Sequence, residues 1–164
     1  MSNERFLVTG ALGCIGAWTV RNLVRQGVPT VVFDMASDPR RLKLIMTPEE
    51  LAKVTFVTGD ITDLEALEQT LDAEQITNII HLAALQVPFC KANPPLGARV
   101  NVVGTVNVFD AVSRRKDRIN HIVYASSVAV YDAADADSAS GVIQHGTVGK
   151  PGNLYGVYKQ ANEG

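Results

Sequence analysis

Three side chains in the second half of this sequence could together move a proton: Ser127, Tyr155 and Lys159. Tyr155 and Lys159 are four residues apart, so on a helix they share one face. A phenol is a poor base near neutral pH, but an ammonium beside it favours the phenolate. Such a pair can take a proton from a hydroxyl or give one to a carbonyl. Ser127 closes the run His121-Ile122-Val123-Tyr124-Ala125-Ser126-Ser127 and could hydrogen-bond the same oxygen. Tyr158 is a rival tyrosine, but position 162 is Asn, so it has no matching lysine. Tyr-x-x-x-Lys is frequent by chance and is otherwise a solvated helical pair; its value depends on what else the chain positions.

The other candidate lies near the start. Thr9-Gly10-Ala11-Leu12-Gly13-Cys14-Ile15-Gly16 follows the apolar run Phe6-Leu7-Val8 and precedes a helical pattern. Gly10 would let the chain turn, Gly13 would let a pyrophosphate approach, and Gly16 would let the helix lie against the strand. The helix start then offers free N–H groups and a positive dipole end to phosphates. Asp34 stands at the end of the next apolar run, where such a fold places a carboxylate for the adenosine ribose hydroxyls. Alone, three glycines are only a Gly-rich turn; with Asp34 they read as a dinucleotide site.

These residues need a scaffold. Arg5–Val8, Thr30–Phe33, Val54–Val57, Asn78–Leu82 and Asn120–Ala125 read as strands. Between them, Ile15–Gln26 reads as a helix with Ile15, Trp18, Leu23 and Val24 on one face, ended by Gly27-Val28-Pro29. Thr47 with Pro48 opens a short helix; the basic cluster Arg40, Arg41 and Lys43 before it could touch a cofactor phosphate, but reads first as a solvated face. Thr62 and Glu65 fit a capping box for a helix whose Leu64, Leu67 and Leu71 pack inward. His81, inside an apolar run, is expected buried and hydrogen-bonded. Asn93-Pro94-Pro95 opens a long helical region to about Arg115, and residues 132–153, with Asp132, Asp135, Asp137, Ser138 and His145, read as a loop. Alternating strand and helix predicts a parallel sheet with helices on both faces. Gly13, Asp34, Asp60, Ala83 and Ser127 then all fall at carboxyl ends of strands, where such sheets bind ligands.

Composition narrows the classes. The chain has 164 residues, 46% hydrophobic and 20% charged, with 15 Lys+Arg against 17 Asp+Glu, a net charge of −2. That balance argues against a general nucleic-acid or anionic-membrane surface. No apolar run reaches the length of a membrane span and no secretory h-region opens the chain. Cys14 and Cys90 form neither a disulfide framework nor a metal site. A cytoplasmic protein with reduced thiols and no metal is expected.

The set of motifs resembles the short-chain dehydrogenase/reductase superfamily, in particular its extended branch of nucleotide-sugar epimerases and dehydratases. The matching stretches are Thr9-Gly10-x-x-Gly13-x-x-Gly16, Asp34, Gly59-Asp60-Ile61, His81-Leu82-Ala83-Ala84, Asn101-x-x-Gly104-Thr105-x-Asn107, Ser126-Ser127 with Val130-Tyr131, and Tyr155-x-x-x-Lys159. The resemblance implies an α/β, doubly wound parallel sheet of the Rossmann NAD-binding type. It implies that Cys14 and Ile15 meet the pyrophosphate through backbone N–H groups, that Asp34 binds the adenosine ribose, and that Asp60 and Ile61 flank the adenine. Leu82, Ala83 and Ala84 would line the path to the nicotinamide ribose, with Asn101 behind the cofactor. Lys159 would bind that ribose and tune Tyr155, while Ser127 and Tyr155 hold the reacting oxygen. The carboxylate of Asp34 favours NAD over NADP, because a 2′-phosphate beside it would be repelled. A homodimer through the helices around 94–115 is implied in the same way.

Three positions depart from the family's pattern: the first should matter little, because it offers mainly backbone, while the other two, beside the 132–153 loop, leave the substrate's fit open. Cys14 replaces the family's usual aromatic, Leu154 precedes Tyr155 where Pro or Ser is more common, and Asp132 stands where Gly is common. The family also runs to about twice this length, its substrate domain following the Tyr-x-x-x-Lys helix. Residues 1–164 are therefore expected to be an incomplete NAD(P)-binding domain that, by itself, binds cofactor weakly, turns over little and frays at its last helix. The expected function is an NAD-dependent epimerase/dehydratase-like oxidoreductase acting on a sugar nucleotide or related hydroxyl or keto substrate. The alternatives are a dehydrogenase of the same branch on a small non-nucleotide substrate, and a non-catalytic dinucleotide-binding module.

Overall fold

A computed structural model describes residues 4–132 and 140–164. The five apolar runs become five parallel strands: β1 (Phe6–Thr9), β2 (Thr30–Asp34), β3 (Val54–Thr58), β4 (Asn78–His81) and β5 (His121–Tyr124). They pair in the order β3-β2-β1-β4-β5, with flanking helices. The chain leaves β1 toward β2 on one side and later returns to β4 on the other, so the glycine turn after β1 lies at the switch of strand order, where open α/β sheets take ligands. Register places Val8 beside Val32 and Ile80, and Leu7 beside Val31 and Ile79. Alternation sends these two rows to opposite faces.

The chain divides into two compact units, Met1–Ala84 with Asn107–Ala125, and Leu85–Val106 with Ser126–Gly164. The first holds the whole sheet. On one face Val8, Val32 and Val54 join Ala17, Val20 and Val24 of α1 (Cys14–Arg25), and Leu42 of α2 (Arg40–Ile45), in a buried cluster. Leu7, Val31 and Ile79 of the opposite row are also buried, as are Leu67 and Leu71 of α4 (Leu64–Ala73) and Val108 and Ala111 of α7 (Gly104–Ser113). Between α2 and α4 the short α3 (Pro48–Leu51) is capped as expected, Thr47 and Glu50 bonding reciprocally. Arg115, just past α7, pairs with Glu68 and Asp72 of α4.

Several expectations need correction. The inward face of α1 is Gly16, Ala17, Val20 and Val24, while Ile15 is 69% and Trp18 49% exposed. The backbone of α1 must approach the turn at Gly16, and only small side chains fit there; Trp18 instead lies under the Arg21 guanidinium, 4.9 Å from the ring centre. The cap of α4 is Asp63, whose carboxylate accepts from Ala66 N–H, so Thr62 is not the cap; Asp60 Oδ1 holds Thr62 N–H at 2.8 Å instead. The polar stretch after β2 contains the helix α2, because Leu42 and Met46 find the core.

In the second unit, α5 (Val87–Ala92) precedes the long helix, which is not regular. It runs as α6 (Pro94–Ala98), a π-helical turn at Arg99–Val103, then α7. A single 3-10 turn, Val128–Val130, follows Ser127, and α8 spans Leu154–Glu163. Of the expected loop, Asp135, Asp137 and Ser138 lie outside the described residues, and residues 140–153 hold neither helix nor strand.

Candidate functional site

Each unit carries part of the expected site. In the first, Gly10 has φ +65°, and a Cβ there would lie 2.7 Å from both the N and Cα of Ala83. Two independent demands, a left-handed backbone and a close chain crossing, therefore fix glycine. A Cβ on Gly16 would overlap the carbonyl of Gly10 and the backbone of Ala11. Gly13 sits at the start of α1 with no side-chain cap, no acidic residue occupies the first turn, and the side chains of Cys14 and Ile15 are exposed. The first N–H groups of a helix have no acceptor within it, so this end is a cradle for an anion.

Asp34 closes the other side of the turn. Its Oδ2 accepts from Leu12 N–H at 2.9 Å and its Oδ1 from Ala36 N–H at 3.0 Å. A carboxylate has about four lone-pair sites, so acceptor capacity remains for a pair of ribose hydroxyls. Arg41 is exposed, yet its guanidinium donates to the Leu12 carbonyl at 3.1 Å and braces the same turn. Thr9, whose part no sequence motif discloses, braces the turn too: its Oγ1 lies 2.6 Å from His81 Nδ1 and accepts from the N–H groups of Leu82 and Ala83, each at 3.2 Å. His81 is 1% exposed, so it anchors the end of β4 as expected of a buried histidine. Gly10, Leu82 and Ala83 are thereby brought together. Asp60 and Ile61 belong to a separate turn, in which Asn107 Nδ2 donates to the Ile61 carbonyl at 3.0 Å. Ala84 continues half-buried from the end of β4.

In the second unit, Asn101 sits in the π-helical turn and is 1% exposed. Its Oδ1 accepts from Leu85 N–H at 2.7 Å and its Nδ2 donates to the Leu85 carbonyl at 2.9 Å. The wide turn thus aims one buried amide at both backbone groups of one residue. Asn162 of α8 donates to the Asn101 carbonyl at 2.7 Å, and Tyr158 donates its hydroxyl to the Pro94 carbonyl at 2.9 Å. Gly97 leaves room for the Tyr158 ring, since a Cβ there would lie 2.9 Å from it. Cys90 is buried against Asn101, and that burial pushes its thiol up from the usual range.

Ser127, Tyr155 and Lys159, the residues expected to move a proton, share this unit. Ser127 caps the 3-10 turn, its Oγ accepting from Ala129 N–H at 3.2 Å. Asn153 caps α8 by accepting from Gly156 N–H at 3.0 Å. Gly156 lies so close to the 3-10 turn that a Cβ would overlap the Ala129 carbonyl oxygen and come within 2.8 Å of Pro151. This contact, which the spacing of residues did not disclose, seats the first turn of α8 on the segment that follows Ser127. One turn on, Lys159 is 3% exposed, and its Nζ lies 5.8 Å from the centre of the Tyr155 ring. Burial pushes the Lys159 ammonium down to about 8. Beside Tyr155 opens a cavity of about 210 Å³ lined by Val87, Lys91, Asn153, Leu154 and Tyr155.

A UDP-glucose 4-epimerase of Erwinia amylovora is 30% identical over 155 residues, covering 93% of this chain and 44% of the relative. The crystal structure of UDP-glucose 4-epimerase from Brucella ovis in complex with NAD aligns with a TM-score of 0.78 at 30% identity, covering 98% of this chain and 46% of that one. The Bordetella bronchiseptica enzyme WbmG in complex with NAD and UDP aligns with a TM-score of 0.79 at 25% identity, covering 99% and 48%. The chain thus spans less than half the length of these relatives. The match is to the part that begins at the strand before the glycine turn: the NAD dependent epimerase/dehydratase family model covers residues 6–164, and the chain belongs to that family.

Proposed function

We propose that this chain provides the NAD-binding and proton-transfer portion of an oxidoreductase of the epimerase/dehydratase type, acting on a sugar nucleotide or a related hydroxyl or keto substrate. The observation that carries the reading is the pairing on α8: Tyr155 half-exposed beside a cavity, with Lys159 buried one turn away. A lysine kept at 3% exposure is costly to charge, which is poor design for a solvated helical pair and good design for a proton-transfer site.

The residues present fit the dinucleotide. The start of α1 supports the pyrophosphate through the backbone of Gly13, Cys14 and Ile15, with Gly10 and Gly16 keeping the turn tight. Asp34 accepts from the adenosine ribose and disfavours a 2′-phosphate, which makes NAD the cofactor. Asp60 and Ile61 are assigned to the adenine, and Leu82, Ala83, Ala84 and Asn101 to the nicotinamide side. When bound, NAD supplies hydride acceptance and return. Tyr155 takes the hydroxyl proton as the carbonyl forms and returns it on reduction, Ser127 holds that oxygen, and Lys159 supplies the positive charge that favours the phenolate. Residues 1–164 act in this reading as one cofactor-binding domain, and the protein as a homodimer.

Tyr155→Phe tests the reading. It keeps the ring and removes the proton carrier, so activity should fall at least about 100-fold while NAD binding, measured by calorimetry, stays within about threefold. Activity unchanged by Y155F would leave a dinucleotide-binding module as the better description.

A further inference from the structure

We propose that Lys91 is a specificity residue that reads a carboxylate on the substrate. The proposal rests on Tyr155 being the proton carrier. If it is, the cavity beside Tyr155 receives the reacting end of the substrate. At about 210 Å³ it is smaller than the roughly 300–1,000 Å³ clefts that take a whole ligand. A nucleoside diphosphate does not fit in it; a sugar ring or a small acid does.

The lining states what chemistry that end carries. Val87 and Leu154 offer only hydrocarbon. The carboxamide oxygen of Asn153 is used on Gly156 N–H. Lys91 is the single charged residue of the lining. It stands four residues after Val87 on α5, so both project from one side of that helix. Among the described residues no carboxylate pairs with its ammonium. A cation in the lining of a mostly apolar cavity, unpaired among the described residues, is suited to an anionic oxygen group carried a few bonds from the reacting hydroxyl. The small volume favours a carboxylate over a diphosphate. Two kinds of substrate carry one in that place: a nucleotide-linked uronic acid and a free hydroxy acid.

The experiment compares UDP-glucuronate, L-threonine and UDP-glucose, whose sugar ring is uncharged, with the wild-type protein and with K91A, K91E and K91R, reading KM and kcat separately. Binding of each compound to Y155F is measured as well, so that recognition is seen without turnover. The expected result is a preference for one of the two acids over UDP-glucose, and which acid it is separates the two sources. K91A should raise KM for that acid about 10- to 100-fold, the worth of a hydrogen bond to a charged group. K91E should raise it further and K91R restore part of it, with kcat and NAD affinity little changed. Binding to Y155F carrying K91A should weaken by the same factor. Equal KM for the acid in wild type and K91E overturns the proposal, as does a preference for UDP-glucose that K91 variants leave untouched; Lys91 then only complements the carboxyl end of α5. Full activity of Y155F would overturn the underlying reading instead, and the two failures are told apart by which variant is silent.

Discussion

Lys159→Met should stabilise the folded chain while abolishing its chemistry. Burial moves the Lys159 ammonium from its ordinary 10.5 to about 8. That is a gap of about 2.5 pH units, each worth about 1.4 kcal/mol, so keeping the charged form folded at neutral pH costs about 3 kcal/mol. Met has a similar length and no charge, so it fills the same space. Lys159 also has interactions within the fold that the substitution removes, which leaves a net gain of about 1–3 kcal/mol at pH 7. In urea, with a slope of about 2 kcal/mol/M, the midpoint should rise by about 0.5–1.5 M. The sign of the pH dependence follows from proton counting. Below pH 8 both folded and unfolded wild type hold the proton, and the cost is fully present. Between about 8 and 10.5 only the unfolded chain holds it, so wild-type stability rises with pH through that window. Other groups titrate there too, but they cancel in the difference between the two proteins. The advantage of K159M should therefore be constant below about pH 7 and be lost by about pH 10.5, where the interactions Lys159 makes tip the difference toward the wild type. The measurement is a set of urea melts of both proteins from pH 6 to 10.5. A K159M that is less stable at every pH, by a constant amount, would refute the claim that Lys159 is held charged at a cost.

Two further substitutions test the surrounding geometry. Gly156→Ala places a methyl against the Ala129 carbonyl oxygen, so it should destabilise the protein by about 1–3 kcal/mol in a denaturant melt and lower kcat more than NAD affinity; a neutral G156A would show that the contact does not seat α8. Asp34→Ala removes the acceptor of Leu12 N–H and of Ala36 N–H, so NAD affinity measured by calorimetry should drop about 10- to 100-fold. NADP affinity should fall less, because the repulsion goes with the carboxylate; an equal loss for both cofactors would remove Asp34 as the discriminating residue.

What could be read from the chain alone was whatever local backbone rules enforce. Gly10 announces a left-handed turn because other residues avoid that conformation, and the five β-rich runs announce strands that find one another in a parallel sheet. The four-residue spacing of Tyr155 and Lys159 fixes a shared helix face wherever the helix goes. Asp34 was placed at a strand end by counting. What the sequence left open depended on which neighbours arrive from far along the chain. The apolar Ile15 and Trp18 suggested an inward face for α1, yet the close approach of the turn at Gly16 turns that face outward. Thr62 and Asp63 are both good caps, and only the pull of Asp60 on Thr62 N–H decides between them. The π-helical turn that aims Asn101 at Leu85 breaks the periodicity of a helix that reads as regular. The burial of Lys159 and the cavity that joins Lys91 of α5 to Tyr155 of α8 belong to no local pattern, because they come from packing segments more than sixty residues apart. Sequence determined the turn, the strands and the shared helix face of Tyr155 and Lys159; tertiary structure decided the electrostatic cost of burying Lys159 and which charged residue lines the cavity beside Tyr155.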